Sequence, residues 1–188
     1  MSTTVRLSLA QYDRMIEQGL FEPKEEHYVE LIHGEIRPMN PIGAPHKVAV
    51  DILNFWSVRN LPDDKVWVRV QNSIGIPALD SAPQPDIAWV AKKDYTAGRP
   101  TGGDVLLIVE VAESSLAYDR GEKAELYARA GIQDYWIVNL VNHCIEVHRQ
   151  PVADRYQSTA KLQAGQEVRP LAFPDLALPV SLIFPDRK

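Results

Sequence analysis

The chain has 188 residues, enough to bury one substantial core, and its 45% hydrophobic and 24% charged residues are ordinary for a folded globular protein. That composition argues against disorder, and no apolar run approaches the ~20 residues a membrane-spanning helix needs. A formal charge of −5, from 20 Lys+Arg against 25 Asp+Glu, counts against passive coating of nucleic acid, which calls for a positive surplus. It leaves room for an enzyme whose clustered carboxylates bind a metal.

Met1-Ser2-Thr3-Thr4-Val5-Arg6 lacks the charged-then-apolar layout of a secretory signal. Cys144 is the only cysteine, so there is no intramolecular disulfide and no cysteine-based zinc site. A cytoplasmic location and a single domain over 1–188 are the expectations.

Prolines and glycines punctuate the chain, and the segments between them read as elements. Ser8 caps a short helix through Gln18, with Leu9, Tyr12 and Ile16 on one face and Gly19 as the stop. A hairpin follows: Tyr28 to Ile32, a tight His33-Gly34 turn, then Glu35-Ile36-Arg37. From Pro45 to about Val58 the pattern is helical, with Val48, Ile52, Phe55 and Trp56 at helical spacing. Val66 to Val70 alternates as a strand that is read on through Ile74 and Ile76. Ile87 to Val90 and Val105 to Val109 are short apolar runs of the kind buried in a sheet. A helix is expected from about Asp119 to Ala130, because Asp119 and Glu122 have capping-box spacing and Gly131 ends it. Tyr135 to Val138 and Cys144 to Val147 read as strands, and the segment from Pro151 as β-rich, ending in apolar Leu178 to Phe184. The order implies an α/β (α+β) fold, a mixed β-sheet flanked by helices, with an N-terminal hairpin and a β-rich C-terminal segment.

Three polar residues interrupt this core. Asp86 opens the strand Ile87–Val90, Glu110 ends the run Val105–Val109, and Lys123 lies one helical turn after Asp119. If the two strands are neighbours, both carboxylates converge at one end of the sheet. Mg²⁺ accepts one or two protein carboxylates plus water and phosphate, and activates water against a phosphodiester. A nearby ammonium adds charge for the phosphate. Pro-Asp by itself is a weak signal, since it occurs four times, but only Pro85-Asp86 leads into an apolar strand soon followed by a Glu-bearing one. Glu110 is stronger, because a carboxylate beside five apolar residues is costly to bury without a partner. The bland alternatives are a strand-end glutamate reaching solvent and a solvated helix lysine.

Pro85-Asp86, Glu110-Val111-Ala112-Glu113-Ser114-Ser115, Asp119, Lys123, Tyr127 and Gly131 through Val138 together resemble the Uma family of putative restriction endonucleases, a bacterial branch of the PD-(D/E)XK nuclease superfamily. The resemblance extends upstream to Tyr28 through Glu35 and His46, and downstream to the C-terminal apolar segment. It implies a restriction endonuclease-like fold, Asp86 and Glu110 as ligands of Mg²⁺ or Mn²⁺, and DNA as substrate. The superfamily lysine normally lies two residues after the glutamate. Ala112 stands there, so the resemblance selects Lys123 on the following helix. Glu113 departs from the serine-then-proline usual at that point. Glu30 resembles the upstream acid that completes a metal shell, with a solvent-facing strand residue as the alternative. His46 is read as a substrate contact or as packing, and Gln71 as a further candidate at a strand end. A homodimer is expected of a nuclease that cuts both strands.

Other constellations carry less. His143 and His148 flank Cys144 but fall on opposite faces of a strand, which disfavours zinc. Trp56, Trp67, Trp89 and Trp136 read as core or interface anchors, and no phosphate-cradling glycine motif is present. The competing function is a non-catalytic interaction or DNA-binding module that keeps a nuclease scaffold, motivated by the acidic charge.

Overall fold

The computed structural model describes residues 5–21 and 29–185; Tyr28, the expected start of the hairpin, lies outside the described residues. Helix α1 spans Leu9–Glu17 and begins in a reciprocal cap, in which Ser8 Oγ accepts from Gln11 N and Gln11 Oε1 accepts from Ser8 N. Tyr12 is buried and Leu9 packs beside it against Leu31 and Ala82. Ile16, expected on the same face, is exposed.

Strands β1 (Val29–Ile32) and β2 (Glu35–Pro38) pair antiparallel around His33 and Gly34, which have φ 51° and 78°. Two left-handed residues suit the twist of a two-residue hairpin. Glycine is required at the second, since a Cβ there would lie 2.9 Å from the Leu7 carbonyl.

Helix α2 (Ala44–Asn60) has Pro45 in its first turn, where the missing N–H costs nothing. Its buried face differs from the expected one. His46, Ala49, Val50, Leu53 and Ser57 point inward, whereas Val48 and Phe55 are exposed and Ile52 and Trp56 lie at the margin. The helix is apolar on two sides, so hydrophobic spacing alone fits either face.

The central sheet has six strands in the order β3 (Val66–Val70), β4 (Ile87–Ala91), β5 (Val105–Ala112), β6 (Asp134–Asn139), β7 (Cys144–Val152) and β8 (Arg155–Gln163). Every neighbouring pair is antiparallel except β5 and β6. A parallel pair needs a crossover, which the helical run 116–129, here α3, supplies. Strand β3 stops at Val70 because Gln71 turns to φ 48°; Ile74 and Ile76 are buried but lie beyond the strand. Pro151 lies in β7 beyond the Asp134–Arg149 pair at which β6 ends, so on that side β7 is an edge where proline is tolerated. Short strands β9 (Glu167–Val168) and β10 (Leu178–Pro179) complete the β-rich C-terminal segment.

The sheet is covered on both faces. On one, α2 and the C-terminal residues Leu178, Val180, Ile183 and Phe184 close over Trp89 and Trp136, with Trp56 stacked on Trp89 at 6.1 Å. On the other, Tyr127 and Leu126 of α3 pack on Tyr135, Ile108 and Ile137. Trp67 stands half out in solvent under the Lys92 ammonium. The expected mixed sheet flanked by helices is present. No helix among the described residues is long and apolar enough to cross a membrane.

Helix α3 corrects the expected start at Asp119. It begins with an α turn, Leu116–Tyr118, passes through a π segment, Asp119–Lys123, and continues as α-helix over Ala124–Arg129. Asp119 is therefore no cap: it sits inside the helix, and its carboxylate accepts from Ser115 Oγ at 2.6 Å. Single π turns inside α-helices recur at functional sites.

Candidate active site

The β4–β5 register brings the two sequence-predicted acids together. Ile87 pairs with Val109, so the next step outward sets Asp86 opposite Glu110, on the face covered by α3. Asp86 N donates to Glu110 Oε2 at 3.3 Å, and Val111 N donates to Asp86 Oδ2 at 2.8 Å. Glu110 is not at a strand end, since β5 continues to Ala112. It is 3% exposed and Asp86 is 6% exposed, so the reading of Glu110 as a solvated strand end does not hold.

Lys123 reaches the same place from α3. Its Nζ lies 2.9 Å from Glu110 Oε1 and 3.7 Å from Glu30 Oε2, and its side chain is buried. The π segment holding Asp119 and Lys123 turns both inward, and both are buried. A solvated helix lysine is therefore ruled out.

The three further candidates also gather here. Glu30 is buried, and it accepts from Gln84 N at 3.3 Å and from the Tyr118 hydroxyl at 3.2 Å. His46 Nε2 is 3.0 Å from Asp86 Oδ2. Gln71 Nε2 is 3.3 Å from Asp86 Oδ1, carried there by the left-handed turn that ends β3. All but Gln71 line a cleft of about 120 Å³, with Asn40, Gly43, Ser114 and Ser115 at its rim.

Two participants carried no role in the sequence reading. Tyr127 donates its hydroxyl to Glu110 Oε1 at 2.7 Å, and Asp119 faces Lys123 within the cleft. Both lie four residues from Lys123, the helical spacing that would have flagged them.

Three carboxylates, Glu30, Glu110 and Asp119, thus surround one ammonium, with a fourth, Asp86, beside Glu110. Burial pushes the Glu110 carboxyl up to about 8; Lys123 and Tyr127 oppose the shift while Asp86 and Asp119 add to it. Burial likewise raises Asp119. Burial opposes the charge of Lys123, but Glu110, Glu30 and Asp119 outweigh it and hold the ammonium protonated.

A divalent cation would relieve this surplus, and the donor set suits a particular kind. Among the described residues no three His, Cys, Asp or Glu side chains cluster tightly enough to cage an ion unaided. Among the described residues a closed zinc site is therefore not built, whereas a hard divalent cation that keeps several waters needs only one or two carboxylates. His143 packs on Phe184 and His148 between Tyr135 and Tyr156, so these two form no shared site either.

Residues 9–181 match the family model Uma2, described as "Putative restriction endonuclease". No curated protein sequence matches the chain. Among solved structures, the chain is similar to "a putative nuclease belonging to DUF820 from Anabaena variabilis ATCC 29413", determined at 1.96 Å. The two share 16% identity with a TM-score of 0.66, over 95% of this chain and 97% of that one. At that identity the likeness speaks for the fold alone.

Proposed function

Since the chain belongs to the Uma2 family of putative restriction endonucleases, we propose that it is a Mg²⁺- or Mn²⁺-dependent endonuclease that hydrolyses phosphodiester bonds in DNA. The observation that carries this reading is the meeting of Asp86, Glu110 and Lys123 in one cleft, from two adjacent strands and the helix over them.

In this reading Asp86 and Glu110 hold the metal. When bound, it supplies an activated water and a counter-charge for the phosphate. Glu110 would hold the cation as the carboxylate, its proton released to solvent, because a ligand must bind deprotonated. Lys123 stays charged and presents its ammonium to the negative charge that builds on the phosphate. Glu30 and Asp119 keep that ammonium protonated and aimed into the cleft. His46 and Gln71 brace Asp86, one on each carboxylate oxygen. One nuclease domain over 1–188, working in the cytoplasm and pairing as a homodimer where both strands are cut, completes the proposal.

The test is nicking of supercoiled plasmid with Mg²⁺ or Mn²⁺, comparing wild type with Asp86→Ala and Lys123→Ala. Metal-dependent nicking that both variants lose supports the assignment. Nicking retained by Asp86→Ala overturns it.

A further inference from the structure

The two acids of the cleft are held in the same lopsided way. Asp86 Oδ2 accepts two short hydrogen bonds, from Val111 N at 2.8 Å and His46 Nε2 at 3.0 Å; among the described residues Oδ1 has only the Gln71 amide at 3.3 Å. Glu110 repeats the pattern. Its Oε1 accepts from the Tyr127 hydroxyl at 2.7 Å and the Lys123 ammonium at 2.9 Å, while Oε2 has, among the described residues, only Asp86 N at 3.3 Å. A carboxylate oxygen offers about two lone-pair directions. Asp86 Oδ2 and Glu110 Oε1 are therefore filled, and the remaining capacity lies on Oδ1 and Oε2.

The donors are fixed from two directions. Tyr127 is fully buried in α3, its ring edge-on to Tyr135 with centroids 5.0 Å apart, so its hydroxyl cannot swing away. His46 is buried in the first turn of α2. Its Nδ1 has no hydrogen-bond partner among the described residues, and a buried N–H there would lack an acceptor, so the ring proton belongs on Nε2, facing Asp86.

We propose that Tyr127 and His46 are the positioning residues of the metal site: by filling Glu110 Oε1 and Asp86 Oδ2 they fix both carboxylate planes and leave Glu110 Oε2 and Asp86 Oδ1 to a divalent cation. The inference rests on the metal-dependent reading above and deepens it. Any fold satisfies a buried carboxylate somehow. What sets this case apart is that both acids are filled on one oxygen and spared on the other. Without those donors each carboxylate turns about its last torsion, and that freedom is lost on binding.

The test is Mn²⁺ titrated calorimetrically into the metal-free protein, well below its unfolding temperature. Asp86→Ala should bind no Mn²⁺. Tyr127→Phe and His46→Ala should each bind about 10- to 100-fold more weakly than wild type, the usual cost of losing a partner of a metal ligand. His46→Gln should recover most of the affinity, because its amide reaches where Nε2 stands. Ser57→Ala, on α2 away from the cleft, should lower the melting temperature and leave the affinity unchanged. A merely structural role for Tyr127 and His46 would behave like Ser57, and affinities equal to wild type in both variants overturn the proposal while the metal reading survives. If Tyr127→Phe does not fold, the contrast between His46→Ala and His46→Gln decides. Failure of wild type to bind Mn²⁺ would remove the metal reading and this inference with it.

Discussion

Asp86 and Glu110 face each other across β4 and β5, one step beyond the Ile87–Val109 pair, with the Asp86 amide pointing at Glu110 Oε2. Two carboxylates so placed repel each other, and burial already favours the protonated form of Glu110. Glu110→Gln is the neutral isostere of that form. We expect the metal-free variant to melt at or above the wild-type temperature while plasmid nicking falls by about 100-fold or more. Thermal denaturation and the nicking assay on the same preparation check this. A variant that is inactive because it is unfolded would contradict it.

Lys123 is the opposite case. Its ammonium lies between Glu110 and Glu30, with Asp119 adding a third negative charge. Lys123→Met leaves buried acids without that cation, and breaking a buried pair from one side costs about 3–5 kcal/mol. The double variant Lys123→Met with Glu110→Gln should lose less than the sum of the two single effects, because both remove the same 2.9 Å Lys123–Glu110 contact. Urea denaturation of the four proteins measures the coupling. Strict additivity would mean that Lys123 and Glu110 do not interact in solution.

The acids were legible because apolar strands expose them: a carboxylate next to Ile87 or Val109 has no bland explanation once both strands are core. Glu30, His46 and Gln71 were legible only as candidates, since each owes its place to a tertiary contact, and in Gln71 to a left-handed turn no periodicity announces. Asp119 was misread for a specific reason. Asp119 and Glu122 imitate a capping box, whereas the helix starts earlier and carries a π segment across those residues. In α2 the error was one of face: Val48 and Phe55 fit helical spacing as well as the residues that are buried, and only the sheet decides between them.

Ser57 ties α2 to the sheet through Trp89. The indole Nε1 donates to Ser57 Oγ at 3.0 Å, and that hydroxyl donates to the Leu53 carbonyl at 2.7 Å. Ser57→Ala strands a buried indole N–H, at a cost of about 1–3 kcal/mol. Nicking per folded molecule should not change, because Ser57 touches none of the cleft residues. An activity loss that exceeds the loss of folded protein would mean that α2 transmits strain to His46.

His148 sets a pH dependence separable from the cleft. It lies between Tyr135 and Tyr156, with ring centroids 5.5 and 5.9 Å away, and Nε2 has no hydrogen-bond partner among the described residues. Burial lowers its pKa below the ordinary histidine value of 6.5; Glu146 opposes that shift and Arg120 reinforces it. The unfolded chain therefore binds this proton first as pH falls, so the contribution of His148 is complete above pH 6.5 and is lost as pH drops through that value toward the folded pKa. Glu146, held ionised by Arg120 and Asn139 against its burial, adds a loss of the same sign at lower pH. His148→Phe keeps an aromatic ring between the tyrosines and removes the titration. Melting temperatures from pH 7.5 to 5 should fall less steeply in the variant than in wild type, and parallel curves would show that His148 is already solvated in the native protein.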